Sequence, residues 1–166
     1  METENMKVER KFIVDRSQLP KIKRMATNIV KIEQYYTCVG DLEERYCRFG
    51  DKFFHTVRAK IYGGLTRIGF EEECSSSDYE SNKINMIGNI ISKARYFIQS
   101  PDYVCKIDEY LGQMKGLNIC SLEFASEQEA EIIDVPEFCK EEVTTNSIYR
   151  SKNLALNGLP MEHKRI

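Results

Sequence analysis

Along residues 6–14, MKVERKFIV, polar and apolar positions alternate: on an extended chain Lys7, Glu9 and Lys11 share one face, while Val8, Phe12 and Val14 lie largely on the other. A strand with so charged a face is accommodated where it lines a polar, solvent-filled interior and packs its apolar side outward against helices. The same alternation returns in Arg67, Glu71 and Glu73, in Lys93 and Arg95, and in Lys106 and Asp108. Recurrence on separate segments favours one shared ligand site. The competing reading is a wet antiparallel face whose charges simply pair across strands.

After a first strand over 6–15, the pattern predicts a short helix from Leu19 or Pro20, with Ser17 as its cap. β-Branched and aromatic runs over 28–37, 42–49, 52–61 and 65–74 read as successive hairpin strands, punctuated by Gly40, by Gly50 and Asp51, and by Gly63 and Gly64. Ser75, Ser76, Ser77 and Asp78 open a polar-capped helix over 75–86. Strands follow over 92–99, 103–111 and 117–124, and then a helix whose start carries Ser126 and Glu129 in capping-box spacing. Short helices are expected over 136–139 and 148–154. With no repeat or linker, the chain reads as a single α+β domain over 1–166, with about eight antiparallel strands curled nearly closed.

Composition narrows the function. A chain of 166 residues with 42% hydrophobic content can bury a real core. A net charge of −2 and a pI near 5.8 give no footprint for DNA and no attraction to an anionic membrane. No apolar stretch reaches the roughly 18 residues of a membrane span and no leader pattern is seen, so a cytoplasmic location is expected. The six cysteines, Cys38, Cys47, Cys74, Cys105, Cys120 and Cys139, form no CxxC or CxxxH pair and are expected to be reduced, mostly structural thiols. Cys47 becomes a reactive thiol only where neighbouring cations lower its pKa. His55, in the run FFHTV, is expected to be packed, and with His163 it lacks a metal-ligand spacing.

The charged faces carry Lys7, Lys11, Arg45, Arg58, Arg67, Lys93, Arg95 and Lys106 against Glu9, Glu71, Glu73, Asp108 and Glu123. If they converge, cations prevail, and spaced Lys and Arg donors suit a chain of phosphates.

In order along the chain, VERKF resembles the ExExK opening motif of the CYTH, or triphosphate tunnel metalloenzyme, family. RYCRFGDKFFHTVRA resembles its RxR strand, turn and TVK strand, LTRIGFEEE its RxExE strand, and KARYFI its KxR strand. KIDEYLGQMKGL followed by SLEF resembles EIDxyxGxxxGL followed by ExEF, and EEVTTNSIYRSKNLA resembles the closing EVT segment. The resemblance implies an eight-stranded antiparallel β-barrel with peripheral helices, whose charged tunnel binds triphosphate groups for hydrolysis or, in some members, cyclisation of ATP. It implies Lys11, Arg45, Arg58, Arg67, Lys93 and Arg95 as phosphate ligands, and Glu9, Lys11 and Glu71 as catalytic residues. Glu9, Glu71, Glu73, Asp108 and Glu123 would hold Mg²⁺ or Mn²⁺, which polarises phosphoryl oxygens and orients water.

The chain departs from these motifs systematically. Lys7, Gly69 and Ser121 stand where the first Glu of ExExK, of RxExE and of ExEF belongs; Lys106 replaces the Glu of EID, and Cys47 the second Arg of RxR. Basic positions are largely kept while acidic pairs each lose a member. A cation at Lys7 repels a metal about 4 Å away by several kcal/mol at an effective dielectric of 20. The expected function is therefore binding of inorganic triphosphate, polyphosphate or a nucleotide, with weakened or altered metal-dependent phosphohydrolase activity. The alternatives are an active triphosphatase with a shifted carboxylate set, a less favoured adenylyl cyclase, and a non-catalytic sensor or scaffold.

Overall fold

The computed structural model describes residues 8–60 and 67–164, so Lys7, Gly63 and Gly64 lie outside the described residues. Nine strands, β1 (Val8–Val14), β2 (Asn28–Cys38), β3 (Leu42–Phe49), β4 (Lys52–Lys60), β5 (Arg67–Cys74), β6 (Ile87–Ile98), β7 (Val104–Leu111), β8 (Asn118–Phe124) and β9 (Cys139–Glu142), make one sheet. Its order is β5-β4-β3-β2-β6-β7-β8-β1-β9, antiparallel in every ladder. Four helices, α1 (Leu19–Met25), α2 (Ser76–Ser81), α3 (Glu127–Ile132) and α4 (Ser151–Asn157), pack on it.

The expected architecture is present, with a ninth strand and without closure. Among the described residues no ladder joins β5 to the β1–β9 end. Where a short helix is expected over 136–139 the chain makes a single turn, closed by the Cys139 N–H donating to the Pro136 carbonyl at 3.0 Å, and then enters β9, which pairs with β1 at Phe12↔Glu142 and Val14↔Cys139. Local signals around Pro136 favour a helical turn, but the edge of β1 left open by β8 needs partners for its backbone groups. The Arg10 guanidinium fixes this pairing through Glu142, at 3.1 and 2.7 Å.

Helix starts follow the expected chemistry at α2, where Ser75 Oγ accepts from the Asp78 N–H, and at α3, where Ser126 Oγ accepts from the Glu129 N–H. Ahead of α1 the cap is Asp15 rather than Ser17: its carboxylate accepts from the Ser17 N–H at 2.9 Å and also meets Lys140 at 2.8 Å. The helix expected over 75–86 is divided into α2 and a 3-10 turn at Asn82–Asn85.

Alternation sorts the side chains into an outer and an inner layer. Outside, Phe12, Val14, Tyr96, Ile107, Leu122 and Phe124 pack under Ile22 of α1 and Ala130 of α3. Tyr35 and Tyr46, with ring centres 5.4 Å apart, are covered by Tyr79 of α2. Inside the curl, Tyr36, Ile91, Tyr110 and Ile119 receive Leu154 and Ala155 of α4, which seals one end with an apolar plug. Gly88, at φ +71°, permits this approach, because a Cβ there would stand 2.4 Å from the Ala155 carbonyl oxygen. The Asn89 side chain donates to that same oxygen at 3.1 Å. The polar half of the inner face is left beside the plug, and the candidate site lies there.

Candidate functional site

Ladder registers place the charged positions on the concave face: Glu9↔Glu123 and Lys11↔Ser121 across β1–β8, Arg95↔Asp108 across β6–β7, Arg45↔Thr56 across β3–β4, and Thr56↔Glu71 across β4–β5. A cavity of about 640 Å³ is lined by Glu9 and Lys11 of β1, Tyr36 of β2, Glu43 and Arg45 of β3, Arg58 of β4, and Arg150, Ser151 and Lys152 at the start of α4. In sheet order, β1 and β3 are separated by four strands. Their meeting at one cavity is direct evidence that the sheet curls around it.

Of the expected phosphate ligands, Lys11, Arg45 and Arg58 meet in this cavity. Arg67 stands on β5 opposite Lys60, and its side chain lies outside the described residues. Lys93 and Arg95 are on the inner face but are committed to Asp108. Arg95 donates to its two carboxylate oxygens at 2.8 and 3.0 Å, and Lys93 Nζ lies 2.9 Å from the second. Burial opposes ionisation of Asp108, yet the field of Lys93 and the hydrogen bonds from Arg95 outweigh it and hold the carboxyl well below the usual range.

The other acids are also engaged. Lys106 Nζ lies 2.7 Å from Glu123, so this cation neutralises a carboxylate on the neighbouring strand. Lys11 lies 3.5 Å from Glu9. Glu71 and Glu73 are exposed on β5, at the register positions of Thr56 and Phe54. Among the described residues no three His, Cys, Asp or Glu side chains converge as a metal-holding group. Of the five carboxylates expected to hold a metal, Glu9 and Glu123 are cross-strand partners, while Asp108 stands on β7 and Glu71 and Glu73 on β5.

Tyr36 sits against Arg45. Burial pushes its hydroxyl up, opposed by the Arg45 charge, so it remains a protonated donor at neutral pH. Cys47 is buried one step deeper on β3, and burial raises its thiol pKa despite Arg45, Lys93 and Arg95 nearby. It is a packed thiol. His55 faces outward, stacked 4.5 Å from Tyr46 and bonded to Glu44 at 3.0 Å.

Arg150 and Lys152 escaped the sequence reading. A signal for them is present: α4 begins with these cations and has no acid in its first turn, the reverse of what the helix dipole favours. Lys152 is compensated in part by Glu43, 4.0 Å away. Three more polar atoms were missed as a group: Gln34 Nε2, Arg45 Nε and Thr56 Oγ1 are buried without a hydrogen-bond partner.

Gly69 has a steric explanation. A Cβ there would stand 2.3 Å from the Val57 carbonyl oxygen and 2.9 Å from Arg58 Cγ. A side chain at this position therefore displaces the β4 backbone or Arg58. Gly69→Glu, which would place there the acid that the motif resemblance leads one to expect, is expected to lower stability by about 1–3 kcal/mol, as overpacking does. Urea denaturation measures this, and a variant as stable as the wild type would show that β5 relaxes freely.

An inorganic triphosphatase of Nitrosomonas europaea is 30% identical over 153 residues, covering 90% of this chain and 97% of the relative. An inorganic triphosphatase of Acetivibrio thermocellus is 29% identical, covering 90% and 93%. Among solved structures, a crystal structure of an inorganic triphosphatase superposes with a TM-score of 0.70 at 25% identity, over 96% of this chain and 99% of that one. A Hippeastrum protein for which a dominant triphosphatase activity is described superposes at 0.60 over 96% of this chain and 100% of its own; its 12% identity shows the shared fold alone. No family model matches the chain.

Proposed function

Because the chain belongs to the triphosphate tunnel family of the inorganic triphosphatases, we propose that it binds a triphosphate-bearing ligand in the cavity between β1, β3, β4 and α4, with weakened or altered metal-dependent phosphohydrolase activity. The observation that carries this reading is the convergence of Lys11, Arg45, Arg58, Arg150 and Lys152 on one cavity from opposite ends of the sheet order. Cations spaced along a cleft compensate charge on successive phosphates, and arginine presents paired donors to nonbridging oxygens. Inorganic triphosphate, polyphosphate and nucleotides share this chemistry. Lys11 and Arg58, from facing walls, would orient the chain, and the Tyr36 hydroxyl would donate to an oxygen beside Arg45.

The acids do not fit a resident divalent ion. Asp108 is held by Lys93 and Arg95 and Glu123 by Lys106, and although Glu9 stands opposite Glu123, no three carboxylates converge among the described residues. Phosphate charge would be neutralised by the protein's own cations, and a divalent ion would have to rely on one or two carboxylates together with the ligand's own phosphates. This favours binding over fast turnover, since rate requires stabilisation confined to the transition state.

Isothermal titration with inorganic triphosphate, with and without Mg²⁺, is the direct test, run beside phosphate release with Mg²⁺ or Mn²⁺. Binding in both titrations with slow release is expected. A flat titration in both overturns the reading, and rapid metal-dependent release overturns its weakened-activity part.

A further inference from the structure

Gln34, Arg45 and Thr56 lie on three neighbouring strands of the concave face. Thr56 is directly opposite Arg45, and Gln34 is opposite Cys47, which places it diagonal to Arg45 on the β2–β3 ladder. Such positions are separated by about 5–8 Å. Gln34 and Thr56 sit one step further in than Tyr36 and Arg58, which line the cavity. Only 4% of Gln34 and 5% of Thr56 is exposed, and Gln34 Nε2, Arg45 Nε and Thr56 Oγ1 have no hydrogen-bond partner.

A buried polar atom without a partner loses its hydration on folding and regains nothing, at a cost of about 1–3 kcal/mol. Arg45 lines the cavity and Gln34 and Thr56 lie one register step behind its lining, so the three atoms form a group that a ligand reaching past Tyr36 and Arg58 can complete. Their chemistry selects that ligand. An amide N–H and a guanidinium N–H can only donate, and a threonine hydroxyl donates when an acceptor is offered. A metal cation is repelled by such an edge, whereas an oxyanion satisfies all of it.

Resting on the phosphate-binding reading of the cavity, we infer that Gln34 and Thr56, together with Arg45 Nε, form an uncharged-to-cationic donor cradle for nonbridging oxygens at the inner end of the bound triphosphate. Gln34 and Thr56 are thus binding residues beyond the Lys and Arg positions. Because the cradle is buried, its hydrogen bonds are stronger than those at the open mouth. It also makes the empty protein less stable than an apolar replacement would be, a trade characteristic of binding sites.

The test uses Thr56→Val, Gln34→Leu and Thr56→Ser in the full chain, with inorganic triphosphate as the probe. Thr56→Val keeps the side-chain shape and removes the unpaired hydroxyl. It is expected to melt at or above the wild-type temperature without triphosphate, to bind triphosphate about tenfold more weakly, and to show a smaller rise in Tm on adding it. Gln34→Leu is expected to behave likewise, while Thr56→Ser retains wild-type affinity. If the trio holds only an ordered water, Thr56→Val and Gln34→Leu bind triphosphate as tightly as the wild type, and the inference fails while the cavity reading stands. If they lose stability and affinity together and serine does not rescue, the residues are structural and the inference fails. A wild type that does not bind triphosphate overturns the cavity reading and the cradle with it.

Discussion

Replacing Arg45 and Arg58 together with alanine is expected to weaken binding of inorganic triphosphate about a thousandfold. Each guanidinium provides charge-assisted hydrogen bonds worth roughly 1.5–3 kcal/mol, and about 1.4 kcal/mol is a tenfold change in affinity. The two residues stand on adjacent strands, β3 and β4, and both line the cavity. Their losses need not simply add, because neighbouring groups couple. Arg58 is exposed, so its removal leaves the fold intact, and Arg45 carries a buried Nε with no partner, so its removal also relieves a desolvation cost. A large loss of affinity with a nearly unchanged melting temperature is therefore the expected signature. Titration calorimetry reads the first and differential scanning calorimetry the second. Near-wild-type affinity in the double variant would place the ligand elsewhere on the molecule.

Asp108→Ala should produce the opposite pattern, a large loss of stability. Among the described residues Asp108 is the acid that contacts both Lys93 and Arg95, and the Lys93 side chain is 5% exposed. Removing the carboxylate leaves a buried cation unpaired, for which losses of about 3–5 kcal/mol are typical. That is a sizeable share of the roughly 5–15 kcal/mol that holds a domain folded. The pH dependence has a definite sign. Folding depresses the Asp108 pKa from its ordinary 3.8, so its contribution is complete above that value and is lost as pH falls below it. Asp108→Asn should lack that part of the acid-unfolding profile. Inorganic triphosphate should stabilise Asp108→Ala more than it stabilises the wild type, because the released Lys93 and Arg95 can turn to an anion. Urea denaturation between pH 3 and 7, with and without triphosphate, checks these expectations. A loss below about 1 kcal/mol would mean that solvent reaches the pair easily.

That Lys11, Arg45 and Arg58 share the inner face was legible in the sequence, because alternation along a strand fixes the face and ordered motifs fix which strand is which. β9 could not be read in this way. CKEE carries no strand pattern of its own, and its pairing is imposed by the open edge of β1. Nor could the pairing of Lys106 with Glu123, or of Lys93 and Arg95 with Asp108, be deduced from separate segments, because each ion pair bridges two strands whose register only the ladders establish. Gly69 read as a lost acid until the proximity of the Val57 carbonyl oxygen showed why no side chain is accommodated there. Arg150 and Lys152 stand at the start of a helix about ninety or more residues along the chain from the strands they face.

The sequence by itself determined the strands β1 to β8, the charged character of one face in the MKVERKFIV segment and its counterparts, and the family to which those motifs point. These are properties of period and order, which a linear chain records directly. Tertiary structure alone decided which charges meet a cavity and which neutralise one another, since Coulomb energy and hydrogen bonding depend on distance across the curl. It also showed that Gln34 and Thr56, unremarkable as letters, are buried without partners.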